Sequence, residues 1–175
     1  MPYQFKREPL RGDEAERLYA ACRTFRERLI VGVLLDTGVR VSELCSLTAG
    51  AVNFQSHRVT VYGKGGPHGA KSKRRILPLS SRAAELLERN FAVLDTFPLS
   101  ERPVQRLLKR LAARAGIARP VSPHVLRHTF AVACLKKRMS LVTVSRLLGH
   151  DHLKTTEVYL NLSPEDVLAE FAERW

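Results

Sequence analysis

The apolar residues of this sequence depart from helical spacing in only one region. This change in spacing restricts the fold more than any other feature. They recur at helical intervals over residues 12–47 and again over 80–149. Between these regions, apolar and polar residues form three short strand-like runs, at 51–55, 58–62 and 75–79. The pattern predicts an α+β fold that is mainly helical, with one small three-stranded antiparallel sheet.

Polar N-caps and glycines mark where the helices should begin and end. Thr37-Gly38 interrupts an apolar segment typical of a core helix, and Gly149 ends a later amphipathic one. Ser163 followed by Pro164 is typical of a final helix start. The predicted helices cover residues 12–23, 24–35, a short segment from 40, then 80–93, 100–114, 122–137, 140–149, 154–160 and the region from 163.

The charge of the chain favours a polyanionic partner. Twenty-nine Lys and Arg residues oppose 17 Asp and Glu residues, a formal net charge of +12. A membrane is the weaker candidate, because the longest apolar run, 29–35, is far shorter than the roughly 20 residues that a span needs. The N-terminal sequence also lacks the apolar region of a signal peptide.

The three cysteines, Cys22, Cys45 and Cys134, have no CxxC spacing and fall within apolar helical patterns. We therefore interpret them as small buried apolar side chains in a protein of the reducing cytosol.

Motifs for metal or nucleotide chemistry are weak or missing. His124 and His128 could face one cation from a single helix, but no carboxylate cluster or cysteine accompanies them at ligand spacing. The sequence contains neither a GxSxG elbow nor a GxxxxGK[ST] loop. We therefore expect no metal and no cofactor.

One set of basic and phenolic residues remains unexplained by these patterns. Each member alone has an ordinary structural interpretation, such as a capped turn, a satisfied histidine or a core tyrosine. Together they describe a cationic pocket with one phenol, which is suited to the chemistry of a phosphodiester. The set is Arg40, Lys64, His124, Arg127, His150 and Tyr159.

Four segments in this order resemble the tyrosine recombinase/phage integrase family, and the catalytic domains of its Xer-like members in particular. They are TGVRVSEL at 37–44, GKG at 63–65 followed by RRILPL at 74–79, HVLRHTFA at 124–131 and LLGHDHLKTTEVY at 147–159. The resemblance extends from about residue 10 to residue 160. It implies a site-specific DNA recombinase that cleaves and rejoins DNA through a 3′-phosphotyrosyl intermediate, without metal or ATP.

The resemblance also implies a role for each matching residue. Arg40 and Arg127 correspond to the two catalytic arginines, and Tyr159 to the nucleophile. Lys64 corresponds to the lysine of the sheet hairpin, although the longer loop here could deliver another lysine instead. The remaining implied residues are the pocket histidines His124 and His150 and the supporting acid Glu43.

Further basic residues are candidates for contact with DNA. Lys71, Lys73 and Arg74 follow Lys64 in the hairpin region. The outer face of the 100–114 helix is also basic; a solvated face and a phosphate-facing surface are about equally good interpretations. Its members are Arg102, Arg106, Lys109, Arg110 and Arg114, of which we select Arg106 and Arg110 as DNA-binding residues.

Organisation and partners follow from the resemblance as expectations. Residues 1–175 should form a single catalytic domain without the family's N-terminal core-binding domain, as a fragment or as a minimal enzyme. Apolar residues at helical spacing in 163–175 could pack within the domain or dock on a neighbouring subunit. Double-stranded DNA and a homotetramer on that DNA are the expected partners, in the cytoplasm at the nucleoid.

Two alternative functions remain open. A type IB topoisomerase-like activity would use the same pocket for nicking and rejoining without strand exchange. A non-catalytic DNA-binding protein could retain the fold, but such a chain should have lost a pocket residue, and all of them are present.

Overall fold

The computed structural model describes residues 8–63 and 74–150. It confirms the predicted mainly helical fold with one small antiparallel sheet, whose strand order is β1-β2-β3. The elements are α1 (Gly12–Ala20), α2 (Phe25–Thr37), α3 (Val41–Cys45), a 3-10 turn (Ala49–Ala51), β1 (Val52–Asn53), β2 (Arg58–Tyr62), β3 (Arg74–Pro78), α4 (Ser81–Phe91), α5 (Glu101–Arg114), α6 (Pro123–Lys136) and α7 (Leu141–Leu148).

Helix α2 lies at the centre of the core. Its residues from Leu29 to Leu34 are all buried, and α1, α3, α4, α5 and α6 pack around it. A helix that is apolar on all sides needs neighbours on all sides, so the absence of an amphipathic pattern in 29–34 predicts this central position. None of the helices in the described part of the chain is long and apolar enough to cross a membrane.

The sheet buries one face against the helices. Val59 of β2 pairs with Leu77 of β3, and both are buried together with Val61. Arg75 lies opposite Val61 and two residues before Leu77, so it occupies the inward face of β3. Strand β3 packs against α7, which brings this arginine to the end of that helix.

Two glycines make the turns that end α2 and α7, as the sequence predicts. Gly38 and Gly149 have φ angles of 61° and 66°, a left-handed conformation that glycine adopts without a Cβ penalty. Side chains also approach both glycines closely. A Cβ at Gly38 would overlap the Phe130 ring, and one at Gly149 would lie 3.0 Å from Cδ of Arg75.

Some predicted boundaries were wrong. The strand expected at 51–55 is only Val52–Asn53, because the Asn53 side chain accepts a hydrogen bond from the Ser56 backbone N–H and turns the chain. Helix α1 ends at Ala20 rather than 23, since Thr24 must be extended to cap α2. Helix α4 ends at Phe91 rather than 93, and the predicted helices at 154–160 and from 163 lie outside the described residues.

Cys22 and Cys134 are buried as expected, whereas Cys45 is only half-buried at the end of α3. Burial raises the pKa of each of these thiols to about 11, so all three are protonated at neutral pH.

Candidate active site

Arg40 lies at the start of α3, where Glu43 holds both its backbone and its side chain. The Arg40 backbone N–H donates to Oε2 of Glu43 at 2.7 Å, and Nη1 donates to Oε1 at 2.9 Å. The Arg40 side chain is 36% exposed, whereas that of Glu43 is 2% exposed. The arginine therefore has a fixed base and a solvent-facing side that an anion can reach.

Arg127 extends from α6 towards the two glycine turns. Its Nη1 donates to the Gly38 carbonyl at 2.7 Å, and its Nη2 donates to the Leu148 carbonyl. Nη2 also lies 3.2 Å from Nε2 of His150. A guanidinium only donates, so in this contact Nε2 of His150 is on the accepting side.

Three arginines converge on the C-terminal end of α7. Arg75 donates from Nε to the Leu147 carbonyl at 3.1 Å, and Arg40 donates from Nη2 to the Gly149 carbonyl at 3.3 Å. Arg127 donates to the carbonyl of Leu148, the residue between Leu147 and Gly149. Carbonyls at a helix C-terminus lack intrahelical donors and carry partial negative charge, so they attract guanidinium groups. We call Arg40, Glu43, Arg75, Arg127 and His150 the α7-end cluster.

Arg75 is the member that the sequence analysis missed. Its Nη1 and Nη2 donate to Oε1 and Oε2 of Glu43 at 2.6 and 2.7 Å, a bidentate pair. Burial alone would raise the pKa of Glu43, but hydrogen bonds from Arg75 and Arg40 outweigh it and hold the pKa below its ordinary value. The signal for Arg75 was present, because strand alternation places this charged residue on the same face as Leu77.

The electrostatic balance of the α7-end cluster favours an anion. Among the residues that the structure describes, this cluster contains three guanidinium groups and one carboxylate, that of Glu43, and both oxygens of this carboxylate accept from Arg75. The Arg40 guanidinium contacts only one of these oxygens, and Arg127 donates to the backbone carbonyls of Gly38 and Leu148. Fixed guanidinium groups of this kind can bind the non-bridging oxygens of a phosphodiester without a proton being transferred.

The structure brings together part of the predicted site. Arg40, Glu43, Arg127 and His150 meet at the end of α7, with His150 half-buried. His124 is exposed in the first turn of α6, one turn before Arg127. The other predicted site residues, Lys64, Lys71, Lys73 and Tyr159, lie outside the described residues.

The remaining basic candidates are exposed. Arg74 begins β3 on its outward face. Arg106 and Arg110 project from α5 and, with Pro103 and Lys109, line an open groove of about 450 Å³. Their helix buries Leu107, Leu108 and Leu111 on its other side, as predicted. We call Arg102, Arg106, Lys109 and Arg110 the α5 basic face.

Metal ligation finds little support in this part of the molecule. Within residues 8–63 and 74–150, no three His, Cys, Asp or Glu side chains are grouped so that they could hold a metal ion. His128 is half-buried on α6.

A mainly helical domain that gathers arginine and histidine at one helix end has the charge needed to bind an anionic group. The sequence matches the profile of the phage integrase family over residues 8–166. This chain therefore belongs to the phage integrase family.

Individual relatives agree with this membership. A tyrosine recombinase XerC from Xanthomonas campestris is 36% identical over 169 residues, which cover 87% of this chain and 51% of the relative. The crystal structure of a XerA recombinase has a TM-score of 0.82 at 31% identity, covering 95% of this chain and 63% of that one. The catalytic domain of bacteriophage HP1 integrase has a TM-score of 0.68 at 26% identity, with 95% of both chains covered. The chain spans about half the length of the curated relatives that it matches.

Proposed function

We propose that this chain is the catalytic domain of a tyrosine-type site-specific recombinase, which cleaves and rejoins double-stranded DNA without metal or ATP. The observation that carries the proposal is the convergence of Arg40, Arg127 and His150 on the end of α7. These residues come from three separate segments that match the family in order. Their shared position supports a single site for the scissile phosphate.

In the proposed reaction, Oη of Tyr159 attacks the scissile phosphorus. A bond forms between this oxygen and phosphorus, and the bond to the 5′-oxygen breaks, which leaves a 3′-phosphotyrosyl linkage. The phenol proton passes to a base, for which His124 is the candidate. The departing 5′-oxygen takes a proton from Lys64, and attack by a 5′-hydroxyl later reverses the step.

The cluster would lower the barrier through electrostatics. A phenol with a pKa near 10 is ionised in only about one molecule in a thousand at pH 7, a cost of roughly 4 kcal/mol. Nearby fixed positive charge lowers that cost and stabilises the additional charge on the phosphoryl oxygens. Arg40 and Arg127 would bind those oxygens, and His150 would donate a further hydrogen bond to one of them.

We also propose that Lys71, Lys73, Arg74, Arg106 and Arg110 contact the DNA backbone, and that four chains assemble on DNA. Apolar residues at helical spacing in 163–175 support docking of this segment on a neighbouring subunit. The oligomeric state can be tested by sedimentation with and without DNA, comparing the parent chain with Phe171→Ala. A monomer on DNA in both cases would contradict this part of the proposal.

A covalent-trapping experiment tests the reaction itself. The 175-residue chain is incubated with a pool of nicked suicide duplexes of randomised sequence, and protein–DNA adducts are separated on denaturing gels. We expect an adduct that Tyr159→Phe abolishes. The matched control is Tyr19→Phe, which alters a tyrosine that lies under the Arg82 guanidinium on the α1 side of the domain and should leave the adduct intact.

The outcomes distinguish the candidate functions. An adduct followed by strand exchange between two duplexes supports the recombinase. An adduct with relaxation of supercoils and no exchange favours a topoisomerase-like activity instead. No adduct at high protein concentration, despite DNA binding, would favour a DNA-binding module and overturn the proposal.

A further inference from the structure

Arg75 occupies an unusual position for a charged residue of a small sheet. Its side chain is only 12% exposed, and it points from the inward face of β3 towards the end of α7. Arginine is rarely buried unless partners satisfy its donors. Here Nε, Nη1 and Nη2 all have acceptors at 3.1 Å or closer, within the protein itself. The side chain is thus organised by the fold and directed away from solvent.

The contacts of Arg75 join three elements of the candidate site. The bidentate pair with Glu43 connects β3 to α3, and the hydrogen bond to the Leu147 carbonyl connects β3 to α7. The guanidinium also lies against Gly149, where a Cβ would be 3.0 Å from Nη1. Glu43 in turn holds Arg40, and Gly149 directly precedes His150. Arg75 therefore contacts Glu43, which holds Arg40, and Gly149, which directly precedes His150.

Charge gives Arg75 a second effect. Glu43 is almost fully buried and bears one negative charge, which the nearest guanidinium groups must balance. Arg75 meets both carboxylate oxygens, whereas the Arg40 guanidinium meets only Oε1. If Arg75 were absent, Arg40 would be the remaining cation among the described residues in contact with this carboxylate and would be drawn towards it. Its charge would then be less available to a phosphate.

We propose that Arg75 is a positioning residue of the cleavage site, which holds Glu43 and the end of α7 so that Arg40 and His150 face the scissile phosphate. This role rests on the proposed function, since it acts on the same reaction. Arg75 is also two residues from the 64–73 segment that carries Lys64. Through these contacts, Arg75 connects β3, which follows the segment that contains Lys64, to the residues that support Arg40 and His150.

The test measures single-turnover adduct formation and DNA affinity separately. We expect Arg75→Gln to slow adduct formation at saturating DNA by about 100-fold, because displacement of reacting groups by about 1 Å has effects of that size. The dissociation constant for DNA should change less than about threefold. Arg75→Lys keeps the charge but not the planar fork, so its rate should lie between those of Arg75→Gln and the parent.

A double-mutant cycle examines whether Arg75 acts through Glu43. If it does, the rate of Arg75→Gln/Glu43→Gln should be no lower than that of the slower single variant, because a neutral side chain at position 43 no longer draws Arg40 away. Multiplicative losses would mean that the two residues act independently, which would contradict the proposed route through Glu43.

Arg119→Gln is the matched control for loss of a structural ion pair. Arg119 is 25% exposed and pairs with Glu8 and Glu14, neither of which belongs to the α7-end cluster. We expect lower thermal stability and an unchanged adduct rate at temperatures where all variants are folded. If Arg75→Gln does not fold, Arg75→Lys and its cycle with Glu43→Gln provide the same comparison.

The possible failures are separable. A parent chain that forms no adduct overturns the proposed function, and the role of Arg75 with it. A parent chain that forms the adduct, with Arg75→Gln equally fast, overturns only the role of Arg75. A parallel loss of rate and DNA affinity would instead make Arg75 a DNA-binding residue and also contradict the proposal.

Discussion

Two arginine-rich regions of this molecule use the same side chain in opposite ways. In the α7-end cluster, Arg75 and Arg127 are 12% and 5% exposed and donate to carbonyls and a carboxylate of the fold. On the α5 basic face, Arg106 and Arg110 are exposed above a buried row of leucines. A buried guanidinium must be fixed by partners, whereas an exposed one stays hydrated and is screened by salt.

This difference separates two contributions to the proposed reaction with DNA. Pre-organised charge stabilises a transition state because its partners have already oriented it, and its effect should appear in the rate of cleavage. Exposed charge attracts the DNA backbone through release of counterions, and its effect should appear in affinity and in salt dependence. Variants in each region can therefore be assigned to one of two measurements.

The largest effect is expected for Arg127→Gln. The substitution removes a proposed phosphate ligand, so adduct formation should slow by about 10²–10³-fold, the usual result of losing one pre-organised donor. It also leaves the Gly38 and Leu148 carbonyls without this donor, at a cost of about 1–3 kcal/mol each in the free energy of unfolding. Single-turnover kinetics and urea denaturation measure the two effects.

The control for this variant is Arg138→Gln, which removes an exposed arginine just beyond the same helix. This control should change neither the rate of adduct formation nor the free energy of unfolding appreciably. An Arg127→Gln protein that cleaves at the parent rate would show that burial and pre-organisation of this arginine are unrelated to catalysis.

Glu43→Gln should have the next largest effect. Removing one partner from a buried ion pair typically costs about 3–5 kcal/mol, because the remaining charges lose their compensation. Here the affected partners are Arg75 and Arg40. The free energy of unfolding of the variant and the parent can be compared by urea denaturation at a series of pH values.

The pH dependence has a defined sign. The pKa of Glu43 in the folded protein is lowered below its ordinary value of 4.5, so its stabilising effect is complete above that pH. It is lost as the pH falls through the lowered folded value, where the parent also becomes neutral at this position. The stability gap between parent and variant should therefore be widest above pH 4.5 and narrow below it. A gap independent of pH would contradict the ion-pair explanation.

The sequence predicted most helices and the sheet because their signals are local. Caps such as Thr24, Ser80 and Ser140 accept backbone hydrogen bonds within their own first turns, and the glycines at 38 and 149 adopt left-handed turns at the expected places. The shortened β1 depends on the Asn53 side-chain bond to Ser56, a local competitor that strand alternation does not include.

The candidate site was only partly predictable. Arg40 and Arg127 were selected through the family motifs, whereas their acceptors at the end of α7, the Gly149 and Leu148 carbonyls, are 109 and 21 residues away in the chain. Arg75 is carried in a strand-like run, and alternation alone indicates that it is inward-facing. Its partner Glu43 is 32 residues away, and only the packing of β3 against α7 and α3 reveals the pairing.

Gly149→Ala should have a smaller effect that combines backbone and side-chain terms. The left-handed φ of 66° costs an alanine roughly 1–2 kcal/mol, and the new Cβ would press on Arg75. We expect about a tenfold slower adduct formation, on the basis that small displacements are costly at such sites. Gly116→Ala is the matched control, since Gly116 has the same φ and no neighbour within 4 Å of a Cβ. Gly116→Ala should lower the stability without slowing adduct formation. Equal rates of adduct formation for Gly116→Ala and Gly149→Ala would contradict a role for the Arg75 contact.

The smallest effect on cleavage is expected on the α5 basic face, where Arg106→Gln/Arg110→Gln should leave the adduct rate at saturating DNA unchanged. DNA affinity should fall uniformly across sequences, and the slope of log K against log salt should decrease by about 0.9 for each phosphate that is no longer neutralised. Stability should change by less than about 0.5 kcal/mol per substitution, as for exposed residues generally. Titrations at several salt concentrations measure the slope.

Arg114→Gln, on the same helix, is the sharpest control for this last prediction. Its guanidinium donates to the Ala21 carbonyl at 3.0 Å and pairs with Glu27 at 3.2 Å, so the fold already uses its charge. It should leave the salt slope unchanged and cost below about 1 kcal/mol of stability, as a partly exposed pair does. If Arg114→Gln reduced the slope as much as the Arg106 and Arg110 substitutions do, the distinction between partnered and exposed arginines would not hold on this helix. The effect would then depend only on net charge.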